Sequence, residues 1–433
     1  MPAARDRLGG VGALWRRRTR ARAGSRDGVI DRRELLLGAA GAALSLARPM
    51  AEAEQRVEEA EKGTVRLFLA GDVMTGRGID QVLPHAGDPR LHEAWVGSAA
   101  EYVRLAERAH GEIPQPVAFD YVWGDALEAW ERLAPDARIV NLETAITVSA
   151  AAAPRKGIHY RMHPDNAACL AAARLDACAL ANNHVLDWGE AGLAETLSAL
   201  DGIGIAHAGA GRNLEEARTP ARLPLARGGR VLVYSWGSTS SGIPATWAAG
   251  EATPGVDLLP DLTEATVEGI AGRVEVARRP GDLVVASIHW GPNWGWEIAP
   301  DRRRFARRLV EIAGVDLVHG HSSHHPLGIE VRRGHPVLHG CGDFLTDYEG
   351  IGGHEEYRPD LAVGTFVDLE PATGELAGMT LVPFRLRRFR LERAPAEAVA
   401  WLAATLDRES RPLGAHVRPA GDGELSLEWD GGR

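Results

Sequence analysis

Residues 64–77 read TVRLFLAGDVMTGR, an apolar run that ends in a glycine, a carboxylate and a turn. A short apolar run of this kind, bounded by glycine, reads as a buried strand, and Asp72 stands just past its end. The arrangement recurs four times. NLET from Asn141 follows the apolar residues 137–140, NNHVLDWG from Asn182 follows 176–180, HWGPNW from His289 follows 283–288, and HGHSSHH from His319 follows 315–318. Stretches with helical spacing separate them, at 91–109, 121–133, 166–174, 190–200 and 301–313, so the fold class is α/β. In an open α/β sheet the ligand crevice lies beyond the carboxyl ends of the strands. Five polar clusters at such ends converge on one site.

Further strands are expected at 203–206, 230–236 and 336–338, and 250–266 reads as a long surface loop. The runs 362–369 and 379–386 are β-rich with no helix between them and add an antiparallel part. A helix near 395–406, with its proline at the tolerated first position, and a polar tail close the chain. These elements make one large domain over 56–390, followed by a C-terminal helix and tail over 391–433.

With 433 residues, 45% hydrophobic and 25% charged, the composition is that of a globular protein with a sizeable core. Residues 1–47 carry ten arginines against Asp6, Asp27, Asp31 and Glu34, a net of +6, so a whole-chain charge of −10 leaves −16 on the remainder. An acidic body argues against nucleic acid as a partner, since phosphate-backbone binding needs clustered positive charge. The basic start reads as an export signal with its linker, over 1–55. Asp31-Arg32-Arg33-Glu34-Leu35-Leu36 leads into an apolar stretch over 35–47, short of the ~20 residues that span a bilayer. Its paired arginines followed by leucines resemble the twin-arginine signal, with cleavage expected after Ala51-Glu52-Ala53. The expected location is the periplasm, the cell surface or the medium. Cys169, Cys178 and Cys341 are an odd number without zinc-site spacing and read as small buried residues.

The chemistry follows from the donor types. Asp72 and Glu143 each end a strand, Asn183 offers an amide oxygen, and His289, His321 and His324 offer imidazole nitrogens. Such a mixed set suits Mn, Zn or Fe rather than calcium, which prefers all-oxygen ligation. One or two ions are expected; two, about 3.5–4 Å apart, hold a hydroxide and neutralise an oxyanion in an in-line displacement. His184 is expected to protonate the leaving group, with Asp187 orienting its ring. Arg77, Arg155, Lys156 and Arg161 are candidates for holding an anionic substrate, with Asn141 beside them. Asn182-Asn183 also fits an N-cap for the helix at 190–200. His319 and His325 fit outer-shell or exposed positions, and Trp290, Trp294 and Trp296 fit a groove wall or core packing.

Taken together, GDVM at Gly71, NLE at Asn141, NNHVLDWGEAGL at Asn182, HWG at His289 and Gly320-His321 with His324 resemble the CapA family. These are capsule-synthesis, poly-γ-glutamate-associated proteins related to the calcineurin-like metallophosphoesterases. KGIHYRMHP at Lys156 and GCGDF at Gly340 are similar to further segments of that family, and the resemblance covers about residues 64–350. It implies a four-layer α/β/β/α sandwich with a metal site at one edge of the paired sheets. By position, Asp72 resembles the first-motif aspartate and Asn183-His184 the Asn-His pair that supplies a metal ligand and the catalytic acid. His289 resembles the single histidine of the fourth motif, and His321 with His324 the terminal pair. Met74 stands where the phosphoesterases carry a histidine ligand, and Asn141-Leu142-Glu143 where they carry the bridging aspartate. Asp343 stands where the family more often has asparagine, and Ser322-Ser323 where it often has His-Pro.

The function so implied is that of an exported protein of capsule or poly-γ-glutamate biosynthesis. It would be a metal-dependent hydrolase of a phosphate ester or glutamyl amide in an anionic polymer or its precursor, working beside other capsule-synthesis proteins. The alternative is a non-catalytic, polymer-binding assembly or export factor. Met74 favours the alternative; His184 with Asp187 favours the hydrolase.

Overall fold

The computed structural model describes residues 63–431. The export signal expected at 1–55, with its cleavage step, lies outside the described residues. Strands β1 (Val65–Val73), β2 (Ala137–Leu142), β3 (Ala177–Ala179) and β4 (Ala206–Ala208) lie side by side and parallel. A second sheet follows from β5 (Ala221–Pro224), β6 (Arg230–Gly237), β7 (Leu283–His289), β8 (Leu317–His321), β9 (Ile329–Arg332) and β10 (His335–Leu338). Its order is β9-β10-β8-β7-β6-β5, and β6, β7, β8 and β10 are parallel. The chain then returns to the first sheet, where β11 (Asp343–Leu345) pairs with β1 in parallel. Antiparallel strands β12 (Leu361–Leu369), β13 (Leu376–Arg387), β14 (Arg390–Arg393), β15 (Ala415–Pro419) and β16 (Leu425–Trp429) extend it. The first sheet therefore runs β15-β16-β13-β12-β1-β2-β3-β4, with β11 on β1 and β14 on β13.

Side-chain alternation along the strands builds the layers. From β1 and β2, Phe68, Ala70 and Val140 point to helices α1 (Arg77–Val82), α2 (Ala100–His110), α3 (Ala126–Leu133), α4 (Ala168–Ala172) and α5 (Gly189–Gly202). Their neighbours Leu67, Leu69 and Ile139 face Val231, Val233, Leu283 and Val285 of the second sheet. Leu232, Tyr234, Val284 and Ala286 face the far side, where α6 (Glu264–Ala277) and α7 (Pro300–Glu311) pack with Ile270, Phe305 and Leu309. Strands buried on both faces read as continuous apolar runs for this reason. The result is the four-layer α/β/β/α sandwich, and Cys169, Cys178 and Cys341 are free and buried within it.

Three elements differ from expectation. The helix expected at 91–109 begins only at Ala100; before it, a bridge between Arg90 and Ser98 closes a loop that carries Trp95 out to solvent. The stretch 121–133 is split at Gly124, whose φ of 45° and close approach to the Leu391 carbonyl no side chain fits. The polar tail is instead the strand pair β15–β16 behind helix α8 (Ala396–Ser410). Leu402, Leu406, Val417, Leu425 and Leu427 add to the core between the sheets.

Candidate metal centre

The carboxyl ends of both sheets meet at one edge. Pairing between β1 and β2 skips Gly71, so Ala70 faces Val140 and Asp72 faces Asn141. On the other side of β1, Asp72 lies opposite Asp343. Glycine is required at 71 because a side-chain carbon there would stand 2.0 Å from the Gly342 carbonyl oxygen. In the second sheet, His289 ends β7 opposite His321 of β8. Their Nδ1 atoms lie 2.9 Å apart, and 3.9 and 3.8 Å from Asp72 Oδ1.

Two buried groups of three donors result, Asp72 with His289 and His321, and Asp72 with His324 and Asp343; within each, the donor atoms lie within 4.8 Å of one another. Asp72 belongs to both. Behind it, Asn141 donates to Asp72 Oδ1 at 2.8 Å and accepts from Asn182 at 3.0 Å. The other nitrogen of His289, Nε2, faces Asn183 Oδ1 at 3.0 Å and Glu143 Oε1 at 3.7 Å.

The electrostatics fit a cation. Burial, with Asp343 nearby, pushes the Asp72 carboxyl up to about 7, and burial with Asp72 and Asp343 pushes Glu143 well above the carboxylate range. Glu143 Oε2 and Asp343 Oδ2 are buried without a hydrogen-bond partner, an expensive state unless something positive faces them. Burial holds His289 and His321 far below the usual imidazole range, so both are neutral and carry a free nitrogen lone pair. Neutral imidazoles beside crowded carboxylates form a donor set for a first-row divalent ion.

His184 sits next to this group. Its Nδ1 is 2.7 Å from Asp187 Oδ2, its ring stacks on Tyr160 at 3.8 Å, and its Nε2 is 3.8 Å from Glu143 Oε1. Lys156 hydrogen-bonds Asp187 and the Asn183 carbonyl. Burial raises the Asp187 pKa, but Lys156 and His184 together outweigh it and hold the carboxyl below its ordinary value. Burial and Lys156 bring His184 down to about 4. The ring is therefore neutral, with its proton on Nδ1 and a bare Nε2.

Glu143, Asn183, His184 and His324 line one cavity of about 630 Å3, together with Lys156 and Arg77. Three of the expected substrate contacts fare differently. Arg77 reaches the wall, but Asp347 holds its guanidinium at 2.9 and 2.5 Å and Glu93 at 2.8 Å, so each of its three nitrogens is already engaged by a carboxylate. Arg161 does not line the cavity; it donates to the carbonyls of Ser149 and Asp88 and lies over Trp188. Asn141 lies beneath the ligands, also off the lining. Trp294 lines the cavity, whereas Trp290 is buried and donates to the His339 carbonyl. Asp343, read from the sequence only as a departure from a family pattern, is the donor the sequence reasoning missed.

The family described as bacterial capsule synthesis protein PGA_cap matches residues 66–348. This chain belongs to that family. It is 47% identical to a probable polyglutamine synthesis accessory protein of Mycobacterium tuberculosis, over 84% of this chain and 96% of that one. It is 22% identical to the capsule biosynthesis protein CapA of Bacillus anthracis, over 68% of this chain and 63% of the other. Against the PGA biosynthesis protein CapA of Bacillus subtilis the figures are 26%, 64% and 62%.

In this chain a hydrogen-bond relay behind His321 sets which nitrogen is free. His319 Nε2 donates to the Ala70 carbonyl at 2.9 Å, so its neutral ring accepts at Nδ1 from Ser287 Oγ, 3.0 Å away. Having donated there, the hydroxyl accepts from His321 Nε2 at 2.9 Å. The His321 proton is thereby fixed on Nε2, and Nδ1 is left bare toward Asp72. Losing such an outer-shell partner costs roughly 10–100-fold in metal affinity. Ser287→Ala is expected to weaken binding of Mn or Zn by about that factor, measured by competition with a chelating dye. An unchanged affinity would show that the relay does not orient the ring.

Proposed function

We propose that this protein is an exported, metal-dependent hydrolase of capsule or polyglutamate synthesis, acting on a phosphate ester or amide of an anionic polymer or its precursor. The observation that carries this reading is the convergence of two Asp/His groups on Asp72, beside a cavity that His184 also lines. Asp72, His289, His321, His324 and Asp343 would hold one or two ions of Mn, Zn or Fe, with Glu143 and Asn183 against His289. The ion would supply Lewis-acid polarisation of the scissile group and of a water. Asp187 keeps the His184 proton on Nδ1, so Nε2 can accept a proton from the attacking water and pass it to the leaving group, first base and then acid. Lys156 holds Asp187 ionised. The M. tuberculosis relative's name, with the matched family, supports work beside a capsule-polymer synthesis machine. Export rests on Arg32-Arg33 and the apolar residues behind them.

The test is metal content and turnover of the purified chain, screened on phosphoesters and γ-glutamyl amides. His184→Gln is expected to keep its metal and lose about 10²–10⁴-fold in turnover. Absence of turnover in a chain that retains metal would sink the catalytic reading. It would leave a polymer-binding assembly factor, the reading favoured by Met74, which is fully buried and offers only a thioether where the phosphoesterases carry an imidazole.

A further inference from the structure

The four exposed large hydrophobic side chains among the described residues are Trp95, Val148, Val276 and Ile351. Two of them, Trp95 at 78% and Ile351 at 46% exposure, line the cavity described above. They come from separate loops, the one before α2 and the one between β11 and β12. Single exposed apolar residues are ordinary, but apolar groups gathered at a pocket mouth mark a ligand surface. Trp294, stacked at 3.9 Å on His354, continues the same wall.

Charge points the same way. The cations of the lining are Arg77 and Lys156, and each is already paired, Arg77 with Asp347 and Glu93, Lys156 with Asp187. Glu143, a carboxyl group, also lines the cavity and offers an anionic substrate no attraction. Among the described residues, the one arginine and the one lysine of this wall are both already paired with carboxylates, which disfavours a finished polyanion. One anionic head could sit among Glu143, Asn183, His184 and His324 once a cation is bound there, and whatever is attached to the head meets Trp95, Ile351 and Trp294.

We propose that the cavity accepts an amphiphile, a single phosphoryl head carrying an alkyl or other apolar chain that lies against Trp95 and Ile351. The placement of the head rests on the hydrolase reading; the tail surface stands on its own residues. The substrate is thereby narrowed from a finished polymer to a precursor carried on an apolar group.

The test titrates methylphosphonate and octylphosphonate into the full chain, before and after loading with Mn, and follows heat by calorimetry. Burial of two methylene groups already accounts for roughly a tenfold gain. Octylphosphonate is therefore expected to bind more than about tenfold tighter than methylphosphonate, and Trp95→Ala with Ile351→Ser to erase that preference while metal content and methylphosphonate affinity stay unchanged. Equal affinities in a chain that retains metal overturn the tail surface and leave the hydrolase reading standing. A preference that survives the double substitution also overturns it. A preference for the octyl probe in a chain that retains no metal supports the tail surface and sinks the hydrolase reading, and failure to bind either probe overturns the proposal.

Discussion

Replacing Asp72 by asparagine is expected to strip the chain of metal altogether, where loss of a donor from only one group removes part of it. The reason is topological. Asp72 is the one side chain common to both donor groups, because β1 lies between the two strands that flank it, with Asn141 on one side and Asp343 on the other. Asparagine keeps the shape and an oxygen for the Asn141 amide, so the fold should persist while the charge is lost. If the chain holds two ions, His321→Ala and Asp343→Asn should each remove one, and Asp72→Asn should remove both. The loss should exceed the roughly 10–100-fold that an outer-shell partner is worth. Mass spectrometry of the metal in the three variants beside the parent decides it. Metal retained at the parental level in Asp72→Asn would rule out this centre.

The strand ends were legible in the sequence because the physics there is local. An apolar run that stops at a polar residue says where the strand ends, and in a parallel sheet all such ends point one way. Asp72, His289 and His321 stand at such ends, and the structure brings them together. Asp343 was not legible, because β11 is three residues long and its pairing with β1 joins segments about 270 positions apart, which no local pattern encodes. Ser287 was missed for the same reason, since nothing marks a strand serine as a relay until His319 and His321 are seen to flank it. Arg161 and Arg77 were misplaced because sequence shows a charge and not its partner. Trp95 shows the limit of periodicity. Its spacing from neighbouring apolar residues suits a helix, but Gly97 lies before the helix start and the observed chain is a loop.

Arg77→Met is expected to cost about 3–5 kcal/mol of stability, the penalty for leaving a buried charge without its partner. The side chains of Arg77, Asp347 and Glu93 are 2%, 0% and 1% exposed. Asp347 also accepts from the Gly78 backbone at 2.8 Å, and Tyr102, whose hydroxyl bonds Glu93, lies under the guanidinium at 3.6 Å. One guanidinium thus ties α1, the loop before α2, α2 itself and the segment after β11 into a single wall of the cavity. Removing it leaves two carboxylates in the interior. Arg77→Lys keeps the charge but loses the planar fork that holds Asp347 at two points, so it should fall between the two. Urea unfolding of the three chains measures the cost. The reading of Arg77 as a substrate receptor predicts the opposite pattern, parental stability with a raised KM, so the same variants decide whether this arginine holds the substrate or the wall against which the substrate lies.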